Sequence, residues 1–376
     1  MFEKIVGQEL RRELKTIKTK GVILEHDGHS YLNLSSNDYL GISDHTDWQC
    51  EFLSEVGDAE DFLMSSCSSR LLTGNDSSYD CLETEIARSY KKESCLVFGS
   101  GYHANLGILP ALTRKDDLIL ADKLVHASLI DGLRLCRCKW FRYRHNDFDD
   151  LERLLRNEKN KYRNVFIVTE SIFSMEGDCA DLVRIAAIKK KYGAFLYLDE
   201  AHAIGVRGER GFGLVEESGV LDEIDILVGT FGKALASQGA FVVGDKSVRD
   251  ALINSARTLI FTTALPPIVN RWTFFVWKKM LGMQGQRNHL RLMTDLFRNN
   301  LKNNKLLGDS HIVPLLVEGN QQCLEIAEKI RQRGLWASAI RHPTVPLDQP
   351  RLRFSLTAAF TEEHIHKINE ILLETT

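Results

Sequence analysis

The sequence predicts an α/β protein in which a large, mainly parallel sheet domain is followed by a smaller α+β domain. Two observations favour this architecture. Short apolar runs alternate with helical patterns between about residues 94 and 243, as expected for buried parallel strands separated by helices. After about Pro267 long helical patterns take over, and strand-like runs become sparse. We therefore predict an N-terminal segment (1–38), a large domain (39–272) and a small C-terminal domain (273–376).

The predicted elements follow in chain order. The strands of the large sheet are predicted at 95–98, 118–120, 140–143, 165–169, 195–199, 226–230 and 240–244. The intervening segments DFDDLERLLRNEK and ADLVRIAAIKKKYG carry apolar residues three and four positions apart, which predicts helices. In the C-terminal part we predict helices at RWTFFVWKKMLGM, HLRLMTDLFRNNLK and CLEIAEKIRQRG, and strands at IVPLLVE and RLRFSLT.

Composition narrows the class of protein. The net charge is −3 and 44% of residues are hydrophobic, which is ordinary for a soluble globular chain and does not indicate a nucleic-acid surface. No apolar stretch is long enough to span a bilayer, and the N-terminus lacks the apolar core of a signal peptide. The eight cysteines form no C-x-x-C pair, so we expect reduced thiols in a cytoplasmic protein, without zinc or other metal ligands. We interpret Cys136 and Cys138 as residues of a strand.

The stretch FLYLDEAHAIG (195–205) raises the possibility of a helicase-type ATPase, because D-E-A-H is also the metal-binding box of that class. A P-loop would require a glycine, four residues and then Gly-Lys-Ser/Thr. The Gly232-Lys233 pair is followed by Ala234, Leu227 stands at the required first glycine, and the pair comes after the box. The ATPase interpretation is excluded.

Lys233 and Asp199 favour a different chemistry. Both follow predicted strands, at the carboxyl edge where open α/β sheets bind ligands. A lysine that forms a Schiff base with an aldehyde, opposite a carboxylate that keeps a pyridine nitrogen protonated, is the pair that pyridoxal phosphate needs. A solvated surface lysine is the alternative for Lys233 alone, and the second strand end argues against it.

Other residues near predicted strand ends meet the remaining requirements of this cofactor. VFGSGYHANLGIL supplies a strand, a glycine turn and a helix, and the turn (99–102) would present backbone N–H groups to a phosphate. His126 could stack on the ring, and Thr230 could offer its hydroxyl to the phosphate. Ser174 follows a further strand. Each signal is weak alone, and their common place at strand ends strengthens them.

Several blocks of sequence together resemble the α-oxoamine synthase family of fold-type I pyridoxal-phosphate enzymes. They are LNLSSNDYLG (32–41), SRLLTGN (69–75), GSGYHAN (99–105), HASLIDG (126–132), ESIFSMEGD (170–178), DEAHAIGVRGERGFG (199–213), TFGKALASQGA (230–240), FTTALPP (261–267) and AIRHPTVP (339–346). They stand in the family's order and cover nearly the whole chain. The resemblance implies the fold-type I architecture and an active site at the interface of a homodimer.

The resemblance also implies a role for each matching residue. Lys233 would be the Schiff-base lysine, Asp199 the partner of the pyridine nitrogen and His126 the ring-stacking residue. The other implied cofactor contacts are Gly101, Tyr102, Ser174, His202, Thr230 and, from the second subunit, Thr262. Implied substrate contacts are Arg11, Asn37, Arg341 and Thr344, of which Arg11 could equally lie on a solvated helix face.

Two positions depart from the family pattern. The stretch before SRLLTGN reads MSSCSS (64–69) and lacks the usual glycines, and Ala236 stands where the family commonly has glycine. Serines resist positive φ, so we expect the backbone at 64–69 to differ locally. Both positions border the expected acyl-substrate region.

The implied reaction is a decarboxylative condensation of an amino acid with an acyl thioester. The blocks are most similar to those of family members that join L-alanine to a pimeloyl thioester, carried by coenzyme A or a carrier protein. Siblings that use glycine or serine with acetyl, succinyl or palmitoyl thioesters share the same core residues and remain open. A non-catalytic subunit, the other alternative, would lack the lysine.

Overall fold

The computed structural model describes residues 14–56, 63–301 and 305–375. The chain divides into two compact units. The first unit contains the described residues up to Asp44, the short segment Ser174–Cys179 and the residues from Gly285 onward. The second unit contains His45–Phe173 and Ala180–Gln284. The domain boundaries at residues 38 and 272 stay a prediction.

The strands and helices of the described ranges are as follows. The strands are β1 (Lys18–Lys20), β2 (Ile23–His26), β3 (His29–Asn33), β4 (Ser94–Phe98), β5 (Leu118–Asp122), β6 (Lys139–Tyr143), β7 (Val165–Glu170), β8 (Phe195–Asp199), β9 (Ile226–Thr230), β10 (Ala240–Gly244), β11 (Ile312–Leu316), β12 (Leu335–Trp336), β13 (Ser338–Ile340) and β14 (Arg351–Ser355). The helices are α1 (Thr46–Val56), α2 (Ser77–Ser89), α3 (Gly101–Leu112), α4 (Ala127–Leu135), α5 (Phe148–Glu158), α6 (Leu182–Tyr192), α7 (Leu214–Glu217), α8 (Lys246–Ser255), α9 (Arg257–Ile260), α10 (Pro267–Leu281), α11 (Gln284–Asn300), α12 (Asn320–Gln332) and α13 (Glu362–Thr375).

The second unit is built on a seven-stranded sheet in the order β4-β10-β9-β8-β7-β5-β6. β10 is antiparallel to both of its neighbours, and the other pairs are parallel. Five of the strands, β4, β5, β7, β9 and β10, are buried along their whole length, because helices cover both faces of such a sheet. The predicted mainly parallel α/β architecture is confirmed.

The first unit contains two smaller sheets. One has the order β1-β2-β3-β12, in which Leu335 and Trp336 pair in parallel with Leu32 and Asn33. The other has the antiparallel order β11-β14-β13. The predicted C-terminal strands and helices are found. Five further short strands, β1, β2, β3, β12 and β13, were not predicted, and they carry few buried residues.

The interpretation of Cys136 and Cys138 as strand residues is wrong. Cys136 is the C-cap of α4, and Cys138 comes just before β6. The helix that begins at Ala127 continues to Leu135, so the chain leaves it only at the first of the two cysteines. No helix in the described ranges is long and apolar enough to cross a membrane.

Candidate active site

Polar residues of the second unit gather where its strands end. In the register of the sheet, Glu170 at the end of β7 pairs with Asp199 at the end of β8. Ala240, the first residue of β10, pairs with Thr230 at the end of β9 and with Phe98 at the end of β4. The ends of four strands therefore meet the start of β10 along one edge, as sequence analysis predicted for a ligand site.

Lys233 lies in a tight loop between β9 and β10. The loop is closed by backbone hydrogen bonds from Phe231 N to Gly239 O (2.9 Å), Ser237 N to Phe231 O (2.9 Å) and Ala236 N to Lys233 O (2.9 Å). Ala236 has φ of +45°, in the left-handed region that disfavours a residue with a Cβ. The loop thus holds the lysine at the sheet edge, and alanine takes a conformation suited to glycine.

The start of α3 offers a place for a phosphate group. The Ser100 side chain caps the helix by accepting a hydrogen bond from His103 N (3.1 Å), and the N–H groups of the first turn have no partners within the helix. A Cβ added to Gly101 would lie 3.8 Å from Thr230 Oγ1, so the Thr230 hydroxyl borders this turn. Within the described residues the buried Nδ1 of His103 has no hydrogen-bond partner. These donors suit a dianionic phosphate, and the residues present fit pyridoxal phosphate.

Asp199 is held in place by three neighbours. Its Oδ1 accepts a hydrogen bond from Ala201 N at 2.9 Å, and its Oδ2 accepts one from Asn105 Nδ2 at 2.7 Å. Its backbone oxygen accepts a hydrogen bond from Ser171 N at 2.9 Å. Since it is only 5% exposed, the carboxylate has a fixed direction, as a partner for a pyridine nitrogen requires.

His126 is the N-cap of α4, and its backbone N–H donates to the Glu170 carboxylate. Desolvation by surrounding protein lowers the pKa of the His126 imidazole, and the positive charge of Lys233 lowers it further, while the Asp199 carboxylate raises it. The hydrogen bond from His126 to Glu170, which pairs with Asp199, brings His126 to the sheet edge that carries Asp199 and the loop of Lys233. A neutral imidazole follows near pH 7.

Glu200, next to Asp199, holds the loop that follows β8. The carboxylate accepts hydrogen bonds from Ser171 Oγ (2.6 Å), Leu214 N (3.1 Å) and Val215 N (2.8 Å). Complete burial raises the pKa of Glu200 to about 7, although these hydrogen bonds oppose the shift. His202, three residues beyond Asp199, is buried at the start of this loop.

The remaining predicted cofactor residues of the second unit are Tyr102 and Thr262. Tyr102 is 45% exposed, and its hydroxyl donates to Asp131 on α4. Thr262 is partly exposed beside Phe261, which is 69% exposed. In the stretch 64–69, Cys67 rather than a serine takes positive φ (+51°).

Four predicted residues belong to the first unit. Asn37 Oδ1 accepts a hydrogen bond from the Tyr39 hydroxyl at 2.9 Å. Ser174 is buried, and its backbone oxygen accepts a hydrogen bond from Arg353 Nε at 2.6 Å. Arg341 and Thr344 lie in one turn, in which Thr344 N donates to Arg341 O at 2.9 Å. Arg11 lies outside the described residues.

Four residues without a predicted role contact predicted site residues or each other: Asn105, Ser128, Tyr197 and Glu170. The sequence does indicate a special role for Asn105, because it is an amide among the apolar residues of a predicted helix. Its partners come from α4 and β8, and such distant pairings cannot be inferred from spacing along the chain.

Comparisons with known proteins agree with this geometry. The sequence matches the family described as aminotransferase class I and II over residues 29–372. It is 48% identical to an 8-amino-7-oxononanoate synthase from Chlorobaculum parvum, over 95% of this chain and 93% of that protein. A solved 8-amino-7-oxononanoate synthase from Francisella tularensis superposes with a TM-score of 0.75 at 28% identity, covering 92% of this chain and 97% of that one.

A further solved structure carries the cofactor. A serine palmitoyltransferase from S. paucimobilis with a bound PLP–myriocin aldimine superposes with a TM-score of 0.90 at 27% identity, covering 96% of this chain and 91% of that one. The fold-type I architecture and the resemblance to α-oxoamine synthases are thereby confirmed.

Proposed function

Because the chain belongs to the aminotransferase class I and II family, we propose that it condenses L-alanine with a pimeloyl thioester. The products would be 8-amino-7-oxononanoate, carbon dioxide and the free thiol, in biotin biosynthesis. One observation carries the chemistry: Lys233, Asp199 and His126 share one edge of the sheet in the second unit. The enzyme is a pyridoxal-phosphate-dependent acyltransferase.

When bound, pyridoxal phosphate supplies an electron sink for the charge left when the amino-acid Cα loses a proton. Lys233 is proposed to hold the aldehyde and, once its amine is released, to take that proton as a general base. Asp199, fixed by Asn105 and Ala201, would accept a hydrogen bond from the pyridine nitrogen and keep it protonated. His126 would cover one face of the ring.

The phosphate is proposed to lie at the start of α3. The backbone N–H groups of Gly101 and Tyr102 would bind it, together with the Thr230 hydroxyl. The Tyr102 side chain is already bonded to Asp131, so the backbone of this residue is the part assigned to the phosphate. Ser174 and His202 are proposed at the ring hydroxyl, from the family resemblance.

The substrate residues are also proposed from the resemblance. Arg341, with its fixed positive charge, and Asn37 would bind the alanine carboxylate, and Thr344 and Arg11 would line the substrate path. Replacing Arg341 with methionine should raise KM for alanine more than it lowers kcat, since the lost contact is made in the bound substrate as well as in the transition state.

A homodimer is proposed as the working form, with Thr262 of each copy reaching the phosphate site of the other. Supporting this, several large apolar side chains of the second unit are exposed: Met64 (67%), Leu72 (79%) and Phe261 (69%). The two segments that carry them are joined by hydrogen bonds from Ala264 N to Ser68 O (2.9 Å) and from Ser66 Oγ to Leu265 O (2.7 Å). Exposed apolar patches of this kind mark interaction surfaces.

Sedimentation tests the dimer. The double variant Leu72→Lys/Phe261→Lys should sediment as a monomer, whereas Leu373→Lys, at an exposed leucine of the first unit (56%), should leave the dimer intact. Dimers in both variants would overturn the proposed interface.

The acyl carrier is proposed to be coenzyme A or a carrier protein. All eight cysteines are described and free, which supports a cytoplasmic location.

The activity is tested by thiol release from the cofactor-loaded protein. Alanine, glycine and serine are each combined with pimeloyl-, acetyl-, succinyl- and palmitoyl-coenzyme A. Turnover with alanine and pimeloyl-coenzyme A alone is expected, and Lys233→Ala should abolish it while Lys123→Ala, at an exposed lysine of the same unit, does not. Turnover with another pair, such as serine and palmitoyl-coenzyme A, would move the enzyme to a sibling reaction, an alternative for which the structural similarity to serine palmitoyltransferase at 27% identity gives only weak support.

A further inference from the structure

Asn105 forms the centre of a buried hydrogen-bond network in the second unit. Its Nδ2 donates to Asp199 Oδ2 at 2.7 Å and to Ser128 Oγ at 3.0 Å, and its Oδ1 accepts a hydrogen bond from the Tyr197 hydroxyl at 2.6 Å. The residue is only 2% exposed. Both donor hydrogens and the acceptor oxygen of the amide are therefore used, by partners on two elements, α4 and β8.

The chemistry of the partners fixes which way the amide points. Asp199 is an acceptor when ionised, so the atom of Asn105 that faces it must be the NH₂ group. The opposite orientation would put the amide oxygen against the carboxylate and leave two buried acceptors facing each other. Asp199 thus determines that Asn105 donates to Ser128.

The direction of the next hydrogen bond follows. Ser128 Oγ accepts from Asn105, so its own hydrogen is available for His126 Nδ1, which lies 2.8 Å away. The backbone N–H of Ser128 also donates to His126 Nδ1, at 3.2 Å. Two donors aimed at Nδ1 require a lone pair there, and the imidazole proton must then sit on Nε2.

We propose that Asn105 is a positioning residue, which fixes His126 as the Nε2–H tautomer by orienting Ser128 and at the same time fixes the direction of the Asp199 carboxylate. The Nε2–H would then be the donor that His126 offers to a carboxylate or carbonyl oxygen of the reacting molecules. This last role rests on the proposed function, whereas the tautomer is a property of the protein alone. The lowered pKa of His126, caused mainly by desolvation and also by Lys233, agrees with a neutral ring.

Nitrogen-15 NMR of the histidine side chains tests the inference in the protein without cofactor. The wild-type His126 signal, assigned with His126→Gln, should show a protonated Nε2 and an unprotonated Nδ1 at pH 7.5. In Asn105→Leu, which keeps the volume of the side chain but has no donor, the Ser128 hydroxyl gains a free lone pair and can accept from Nδ1–H, so a measurable fraction of that form should appear beside the Nε2–H form that the Ser128 backbone N–H still favours. Tyr197→Phe is the control, because Asp199 still orients the amide and the tautomer should not change.

The functional consequence is measured separately. In the loaded Asn105→Leu enzyme kcat should fall roughly ten-fold, by analogy with the hydrogen-bond partners of metal-bound histidines. The pH titration of the bound cofactor's absorbance should shift as well, because Asp199 loses its donor. Asn105→Gln, which retains an amide, should have a kcat and a cofactor titration closer to those of the wild type than Asn105→Leu has. Tyr197→Phe leaves the buried Asn105 Oδ1 without its donor. A fall in kcat caused only by structural disturbance would therefore appear equally in this variant.

Several outcomes would overturn the proposal: an Nδ1–H or doubly protonated His126 in the wild type, or an unchanged tautomer in Asn105→Leu. If Asn105→Leu does not fold, Ser128→Ala answers the same question, because it removes one of the two donors to Nδ1 and should likewise raise the fraction of the Nδ1–H form. A wrong assignment of the substrate would alter thiol release and leave these NMR signals as expected, so the two failures are distinguishable.

Discussion

Arg70 and Glu83 form a buried ion pair in the second unit, with 2.6 Å between Nη1 and Oε1. Arg70 also donates to the backbone oxygen of Val97 at 3.0 Å, and its guanidinium lies 3.9 Å from the centre of the Tyr79 ring. Glu83 in turn accepts a hydrogen bond from Val97 N at 2.8 Å. The pair therefore fixes the segment SRLLTGN (69–75) against α2 and β4.

Glu83→Ala should destabilise the protein by about 3–5 kcal/mol, because it leaves the Arg70 charge buried without its partner. Urea denaturation followed by tryptophan fluorescence measures the loss. Glu85→Ala, on the same helix and paired with the exposed Arg88, should change the denaturation midpoint far less. Equal losses of unfolding free energy in the two variants would show that the buried pair stabilises the protein no more than the Glu85–Arg88 pair does.

The Glu200 carboxyl predicts a dependence of stability on pH. Burial raises its pKa from 4.5 to about 7 in the folded protein. Below about pH 4.5 the group is protonated in both states. Between 4.5 and 7 the unfolded chain loses the proton first, so this group's contribution to the unfolding free energy falls with rising pH, by about 1.4 kcal/mol per unit and about 3 kcal/mol in all.

The measurement compares wild type with Glu200→Gln at pH 5 and pH 8. The wild type should lose more stability than the variant on going to pH 8, since glutamine does not titrate. Parallel pH dependences would contradict the raised pKa. Glu85→Gln, whose partner Arg88 is exposed, controls for general effects of removing one negative charge.

The large sheet could be predicted from the sequence because its strands are apolar on both faces and bounded by turn residues. β8, β9 and β10 match the predicted runs to the residue. The position of the candidate site could be predicted for a related reason. Lys233 and Asp199 follow strand ends, and parallel pairing brings such ends to one edge of the sheet. Asn105 and Ser128 could not be predicted as partners, because their contact depends on how α3 packs on α4. The short strands β1 and β2 were not predicted, because they bury little apolar surface and so show no strand-like pattern of apolar residues.

Ala236 has a backbone conformation that suits glycine better than alanine, so this position offers a stabilising substitution. Its φ of +45° strains a residue with a Cβ by about 1–2 kcal/mol, whereas glycine adopts it freely. After the greater entropy of glycine in the unfolded chain is subtracted, Ala236→Gly should gain about 0.5 kcal/mol. Ala234→Gly, at a buried neighbour outside the left-handed region, should lower stability. A loss in both variants would contradict the strain.

Gly213 is required where the loop after β8 passes the Glu200 side chain. It has φ of +103°, and a Cβ added there would lie 2.6 Å from Glu200 Oε2 and 2.7 Å from Cδ. The carboxylate cannot move away without losing its hydrogen bonds to Leu214 N and Val215 N. Gly213→Ala should therefore cost about 3 kcal/mol, the sum of backbone strain and overpacking.

Gly219→Ala separates these two contributions. Gly219 also has positive φ (+68°), but an added Cβ would meet nothing within 4 Å, so the variant should lose only about 1–2 kcal/mol through the backbone. If the contact with Glu200 accounts for the difference, Gly213→Ala combined with Glu200→Ala will be less destabilised than the sum of the single variants. Strict additivity in urea denaturation would show that the cost of Gly213→Ala lies in the backbone alone.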